Sequence, residues 1–242
     1  MKAAIVTGVS RGLGEALAVA MIERGFTVLG VGRTASPRLT SKHFHLAACD
    51  LSQPALLAAA ITPPLRLIAA GKPTTVTLVN NAAVAIPTGL VGHLEASAIA
   101  SAFAINAAAP VVMADLFFRS FPDDTVERRI INISSGAAHS AIPGMMAYGM
   151  SKAALEMMTR AIVAECSAPR FRCISLRPGI FDTGMQAYAR TRDPAEFPSV
   201  ALFRGFKDNG LLKDPAEVAT KIVEKLVLSP VDHGRCYTHT DL

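Results

Sequence analysis

The chain has 242 residues, 51% of them hydrophobic and 18% charged, a balance that excludes a disordered or fibrous polymer and suits a globular fold with a sizeable core. Lys and Arg number 24 against 19 Asp and Glu, so the formal net charge is +5 and an anionic partner (nucleic acid, membrane surface or phosphate) has to be considered. The four cysteines, Cys49, Cys166, Cys173 and Cys236, form no CxxC pair and no metal-ligand spacing; they give no sign of a disulfide framework or metal site and fit a reducing cytoplasm.

From the N-terminus, Met1-Lys2-Ala3-Ala4-Ile5-Val6-Thr7-Gly8 lacks the apolar run and cleavage site of a signal peptide and reads as a strand that begins almost at once, with no targeting segment expected before it. Short β-branched runs then alternate with longer Ala, Leu and Met segments at helical spacing. That alternation predicts a doubly wound α/β fold, a parallel sheet with helices on both faces. Strands are predicted at Ala3–Thr7, Thr27–Gly32, Phe44–Ala48, Thr75–Asn80, Arg129–Ser134, Arg172–Arg177 and Arg235–Thr238, and seven strands in one sheet make residues 1–242 a single domain. Helices are predicted near Leu13–Arg24, Gln53–Ile61, Ala96–Ser120, Ala147–Ser167 and Pro215–Leu228, the last opened by Asp214 as cap and Pro215 in the first turn. The stretch from Ala96 to Phe118 is apolar enough to mimic a membrane span, but Asn106, Pro110 and Asp115 interrupt it, and a helix lying on an α/β core has the same composition, so no membrane partner is expected. Residues 181–213 mix charges with isolated aromatics (Tyr188, Phe197, Phe203, Phe206) and hold no long periodic element, as in a lid over a substrate.

The loop Thr7-Gly8-Val9-Ser10-Arg11-Gly12-Leu13-Gly14 follows the first strand and opens the first helix, the context in which glycines let the backbone approach a pyrophosphate at a helix N-terminus. An ordinary tight strand-to-helix turn is the plainer reading of the glycines alone. The second strand ends Val31-Gly32-Arg33-Thr34, without the acid that takes the ribose hydroxyls of NAD. Arg11 and Arg33 converging on one corner would suit a 2′-phosphate through charge-assisted hydrogen bonds, which favours NADP(H); surface solvation of Arg33 is the bland alternative. Tyr148 and Lys152 are four residues apart and so share one helix face, where an ammonium would bring a phenol's pKa down toward the working range.

With Asp50-Leu51 after the third strand, Asn80-Asn81-Ala82 after the fourth, Asn106 in the long helix, Ser135 after the fifth strand, Tyr148 with Lys152, and Pro178-Gly179 with Thr183 after the sixth, the chain resembles the short-chain dehydrogenase/reductase family over essentially its whole length. The resemblance implies a Rossmann fold and an oxidoreductase. In it Tyr148 gives a proton to the substrate carbonyl oxygen while the nicotinamide delivers hydride to the carbon. Ser135 hydrogen-bonds that carbonyl, Lys152 tunes Tyr148 and holds the nicotinamide ribose, and Asn106 supports a water linking Lys152 to solvent. Gly8, Ser10, Gly12, Leu13 and Gly14 hold the pyrophosphate side and Arg11 with Arg33 the 2′-phosphate; Asp50 and Leu51 flank the adenine, Asn80 and Ala82 line the ribose and phosphate groove, and Pro178, Gly179, Ile180 and Thr183 fix the carboxamide. The family commonly has Gly where this chain has Ala83.

Within the family the chain is most similar to the sepiapterin reductase and bacterial benzil reductase group, on Ile131 through Ala137 and on Pro178 through Gln186. That implies an NADPH-dependent reductase of a small ketone or dicarbonyl. Pterin-reducing members anchor the pterin on an acid where this chain has Thr238, and Asp241 is displaced by three residues, so an apolar or aromatic dicarbonyl is expected instead. Ala137, Ile142, Met145, Met146, Met185, Phe203 and Phe206 are candidates for an adaptable pocket wall, and each also suits ordinary core. His139 reads as a solvated loop histidine. Met157, Met158 and the alanines after Tyr148 suit either sheet packing or contact with a symmetry mate, as in the family's homodimers and tetramers. A catalytically silent NADP-sensing protein is the competing reading, and no nucleic-acid motif accompanies the positive charge.

Overall fold

A computed structural model of the protein describes residues 1–122 and 124–242. In chain order the elements are β1 (Lys2–Thr7), α1 (Gly12–Glu23), β2 (Phe26–Gly32), β3 (Phe44–Ala48), α2 (Pro54–Ala70), β4 (Thr75–Asn80), α3 (Ala96–Phe103), α4 (Ala109–Ser120), β5 (Glu127–Ile133), α5 (Met146–Glu165), β6 (Phe171–Arg177), α6 (Gly184–Thr191), α7 (Val200–Asp208), α8 (Pro215–Ile222) and β7 (Cys236–Thr238). The strands pair in parallel in the order β3-β2-β1-β4-β5-β6-β7. The order reverses between β1 and β4, so a crevice opens there at the carboxyl ends of the strands, where folds of this kind bind ligands.

Alternation along each strand feeds a core on each face. Ala4 and Val6 of β1 join Leu13, Leu17 and Met21 of α1 and Val218 and Ile222 of α8 on one side. Ala3 and Ile5 join Leu57, Ile61 and Leu65 of α2, Met113 and Phe117 of α4 and Ile162 of α5 on the other. The long apolar stretch between 96 and 120 therefore buries one face on the sheet, as a helix covering an α/β core does.

Four elements depart from the sequence expectation, one of them the helix expected over Pro215–Leu228, which passes into a π turn at Val223–Val227. Helix α2 runs on to Ala70 through Pro63-Pro64, because Leu57, Ile61, Leu65 and Ile68 form one buried stripe and both prolines sit on the outer side. The helix predicted for 96–120 is divided by a π turn at Ala104–Ala108. Pro110 has no N–H and its ring crowds the carbonyl four residues back, that of Asn106, which accounts for the widening there. The segment after β6 contains α6 and α7, whose short lengths hid them among charges; it leaves and returns through paired stems, with Phe181 bridged to Lys213. Asp214 caps α8 as expected, its Oδ1 accepting from Ala216 N at 3.0 Å.

Candidate active site

The glycine loop sits at the reversal point, beneath the end of β4. Gly8 and Gly12 have φ of +76° and +62°, left-handed values that favour glycine. Gly14 allows close packing instead, since a Cβ there would lie 2.2 Å from the Gly8 carbonyl oxygen. Thr7 and Asn81, neither singled out by sequence reasoning, bind this loop to the end of β4: Thr7 Oγ1 accepts from Asn81 N (3.0 Å) and Ala82 N (2.9 Å), and Asn81 Nδ2 donates to Thr7 O (2.9 Å). Their only sequence signal is position, one residue before the glycines and one after the strand. Asn80 turns the other way. Its side chain is buried and donates to Asn132 Oδ1 at 2.8 Å, so only its backbone can line the groove.

The residues present fit a dinucleotide. No side chain caps the first turn of α1, which leaves its N–H groups available to an anion, and Ser10, Arg11, Arg33 and Asp50 are exposed around it. Leu51 is buried beside Asp50. Asp50 accepts from Ser52 N at 2.9 Å, which, helped by Arg33, holds its carboxyl below the ordinary value. The two arginines expected to converge have different neighbours. The Arg11 guanidinium leans over Gly184 at the start of α6, while Arg33 faces Asp50. Gly12 likewise approaches Thr183, whose Cγ2 would lie 3.4 Å from a Cβ added there. Glycine loop and α6 thus meet across the crevice, near the Pro178-Gly179 turn, where Gly179 has φ +95°.

On α5, Tyr148 is partly buried and Lys152 is 2% exposed. Ser135 stands just beyond β5, its Oγ accepting from Ala137 N at 3.2 Å, and its hydroxyl is close enough to the Tyr148 phenol to draw that group's pKa down. Lys152 Nζ donates to the Ile133 carbonyl at 2.7 Å and lies 5.8 Å from the centre of the Tyr148 ring. Burial pushes the Tyr148 phenol above its ordinary value, only partly offset by Ser135, and pulls Lys152 down to about 8. The net shift is thus opposite to the expected lowering: in the cofactor-free protein desolvation of the phenol dominates while the ammonium is engaged by Ile133. Asn106 is fully buried in the π turn. Its side chain accepts from Val84 N and donates to Val84 O, both at 2.8 Å, and donates to Ser151 Oγ at 3.0 Å. It therefore ties the segment after Ala82 to the helix that carries Tyr148.

Beside Tyr148 lies an apolar cluster of Ala85, Met145, Ala189, Phe197 and Val200, with Ile142, Met185 and Phe203 packed against it. Phe206 extends the wall through a ring contact with Phe203 at 5.7 Å. Met146 is 43% exposed and, like Ala137, lies outside the cluster. Phe197, which sequence reasoning noted only as an isolated aromatic, is fully buried against Gly144, and Ser199 Oγ donates to Pro143 O at 2.7 Å. These contacts dock the 182–212 segment onto the turn before α5. Asp241 is fully used locally, accepting from Arg235 (2.7 Å), Thr238 N (2.7 Å) and Thr238 Oγ1 (3.0 Å). His139 is exposed. Among the described residues no group of His, Cys, Asp and Glu has the arrangement of a metal site.

The short chain dehydrogenase family model matches residues 2–194. The chain is 30% identical over 239 residues to a benzil reductase ((S)-benzoin forming) of Bacillus subtilis, covering 98% of each, and 29% identical to one of Bacillus cereus, covering 92% of each. The solved structure of the YIR035C short chain dehydrogenase/reductase from Saccharomyces cerevisiae superposes with a TM-score of 0.84 at 25% identity, over 99% of this chain and 96% of that one. The glycine loop at the sheet reversal, the Ser135, Tyr148 and Lys152 grouping, and a family match running from β1 into the segment beyond α6 agree: this chain belongs to the short-chain dehydrogenase family, oxidoreductases that work on C=O and CH–OH groups with a nicotinamide cofactor.

Proposed function

We propose that the protein is an NADPH-dependent carbonyl reductase of a small ketone or 1,2-dicarbonyl of the benzil type, with Tyr148 as the proton donor. The observation that carries this is the phenol of Tyr148, facing Ser135 and set against the apolar wall of Met145, Met185, Phe197 and Phe203. An aromatic diketone matches such a wall, whereas a pterin would want an acid that Asp241, already paired, does not offer.

The glycine loop from Gly8 to Gly14 would hold the pyrophosphate, with Ser10 and the α1 N–H groups as donors. Arg11 and Arg33 would take the 2′-phosphate, Asp50 and Leu51 the adenine, and the Asn80 backbone with Ala82 the groove between. Tyr148 and Lys152 would hold the nicotinamide ribose, and Pro178, Gly179, Ile180 and Thr183 the carboxamide. When bound, the cofactor supplies a hydride for the carbonyl carbon. The substrate oxygen accepts hydrogen bonds from Ser135 Oγ and the Tyr148 hydroxyl, and the phenolic proton moves to it as charge develops. The raised pKa of Tyr148 keeps that proton in place at neutral pH, and Lys152, protonated below about 8, steadies the phenolate left behind. Asn106, its carbonyl released by Pro110, stands at the inner end of the route by which Lys152 regains a proton from solvent.

The enzyme acts as a homodimer, with a tetramer the next possibility, in the cytoplasm; Met150 and Met157, seven apart on α5, and Val111 on α4 are each more than half exposed and offer the apolar contact. The test is NADPH oxidation with benzil. Wild type should turn over, and Tyr148→Phe should bind NADPH normally yet lose at least about a hundredfold in kcat. Cofactor binding by wild type with no turnover on a broad carbonyl panel would favour the sensor reading.

A further inference from the structure

We propose that Glu156 is a positioning residue: it locks the carboxyl ends of β5 and β6 to α5 and so sets how Ser135 and the Pro178-Gly179 turn approach Tyr148. The inference rests on the catalytic reading above and deepens it. Tyr148, Lys152 and Glu156 are spaced by four and form one stripe along α5. Lys152 reaches the backbone of Ile133, and Glu156, one turn on, reaches the next two anchor points. Its Oε1 accepts from Ser134 Oγ at 2.7 Å. Both its oxygens take the Arg177 guanidinium, Nε to Oε1 and Nη2 to Oε2, each at 2.8 Å. Ser134 precedes Ser135, and Arg177 precedes Pro178.

These anchors are needed because the sheet itself stops short of the chemistry. The last paired residues of β5 and β6 are Ile133 and Leu176, and the last backbone hydrogen bond between them runs from Ser134 N to Leu176 O at 2.7 Å. Beyond it Pro178 has no N–H to donate and Gly179 has the freest backbone, so nothing in the ladder holds Ser135 and the turn at a given separation. A two-pronged carboxylate–guanidinium pair fixes orientation as well as distance, which one hydrogen bond cannot. The side chains of Glu156 and Arg177 are 17% and 25% exposed, so the pair is shielded enough to be held in one geometry. Cys236 of β7, its Sγ 3.8 Å from Oε1, brings the edge strand into the same cluster.

A brace that positions reacting groups acts on kcat, because misplacing them by a fraction of an ångström slows the step without weakening substrate binding. Steady-state kinetics with NADPH and benzil should show Glu156→Gln losing about tenfold in kcat, with the benzil KM within about twofold of wild type and an unfolding midpoint close to it. Arg177→Met should cost the same, and the double variant no more than either alone, since both break one unit. Ser134→Ala cuts a single arm and should cost a smaller part of kcat; it carries the test if the Glu156 variants do not fold. Wild-type kcat in folded Glu156→Gln, additive losses in the double variant, or loss confined to KM and thermal stability would each overturn the role. With Tyr148→Phe assayed in parallel, a dead Tyr148→Phe beside a fully active Glu156→Gln overturns the positioning role alone. An active Tyr148→Phe overturns the proton-donor reading instead.

Discussion

The four-residue spacing of Tyr148 and Lys152 was enough to put them on one helix face, but not to say what each does to the other. Lys152 donates to Ile133 O, and its burial sets its own titration lower than the spacing suggests. Its folded pKa of about 8 lies below the ordinary 10.5, so between those values the unfolded chain holds a proton the folded chain has released. Stability should therefore rise with pH across that window, with the full cost of the buried ammonium present below pH 8. Comparison of unfolding midpoints for cofactor-free wild type and Lys152→Met should give a more stable variant at pH 7 and a difference that shrinks toward pH 10. A gap that stays constant would mean Lys152 is not the group titrating. The same value predicts that carbonyl reduction is flat with pH to about 7 and falls above about 8. For the phosphate contact, Arg33→Ala should raise the NADPH KM at least about tenfold, the loss of one charge-assisted hydrogen bond, and leave the NADH KM nearly unchanged. An equal rise for both cofactors would remove Arg33 from the 2′-phosphate. Arg11 shows the limit of reading such residues from sequence: its guanidinium is drawn toward Gly184, a residue 173 positions away in the chain.

At the scale of elements, periodicity located the strands and long helices, because each must bury a face on the sheet. What it missed were discontinuities. The π turn at Ala104–Ala108 had a signal in Pro110, which interrupts the apolar stretch, but the consequence, a buried Asn106 pinning Val84, needed the two segments side by side. The 181–213 segment showed no long periodic element because its helices are short, and it is anchored by Phe197 against Gly144, whose φ is +83°. A Cβ at Gly144 would fall 2.5 Å from the Phe197 ring. Gly144→Ala should thus cost about 2 kcal/mol or more in stability and raise the benzil KM as the segment loosens. Chemical denaturation and initial rates check this, and a variant indistinguishable from wild type would show that the anchor does not shape the pocket.

For the whole molecule, many of the arginines are engaged locally, and the +5 excess that raised nucleic acid as a partner is dispersed over the chain with no basic run. Arg24, Arg119, Arg177, Arg190 and Arg192 are each paired with an acid, and Arg129 donates to the carbonyls of Val227 and Ser229. The exposed methionines of α5 are a different surface. Met158 packs into the sheet core while Met157 is 55% exposed, so one helix serves the core on one side and offers apolar surface on the other. If α5 forms the contact of the proposed homodimer, Met157→Glu should shift the sedimentation profile toward monomer while the monomer keeps its helical content; a profile unchanged from wild type would move the contact elsewhere. By itself the sequence determined the layered parallel sheet, the place of the glycine loop and the shared helix face of Tyr148 and Lys152, because each follows from local spacing and from which faces must be buried; the grouping of Ser135 with that pair came from the family resemblance. Tertiary structure alone decided that Asn80 faces the core, that Arg11 and Arg33 have separate neighbours, that Asp241 is already paired, and that Glu156 joins Ser134 to Arg177. Hydrogen bonds and ion pairs between distant segments depend on where side chains arrive after the chain has folded, and no periodicity along the chain encodes that.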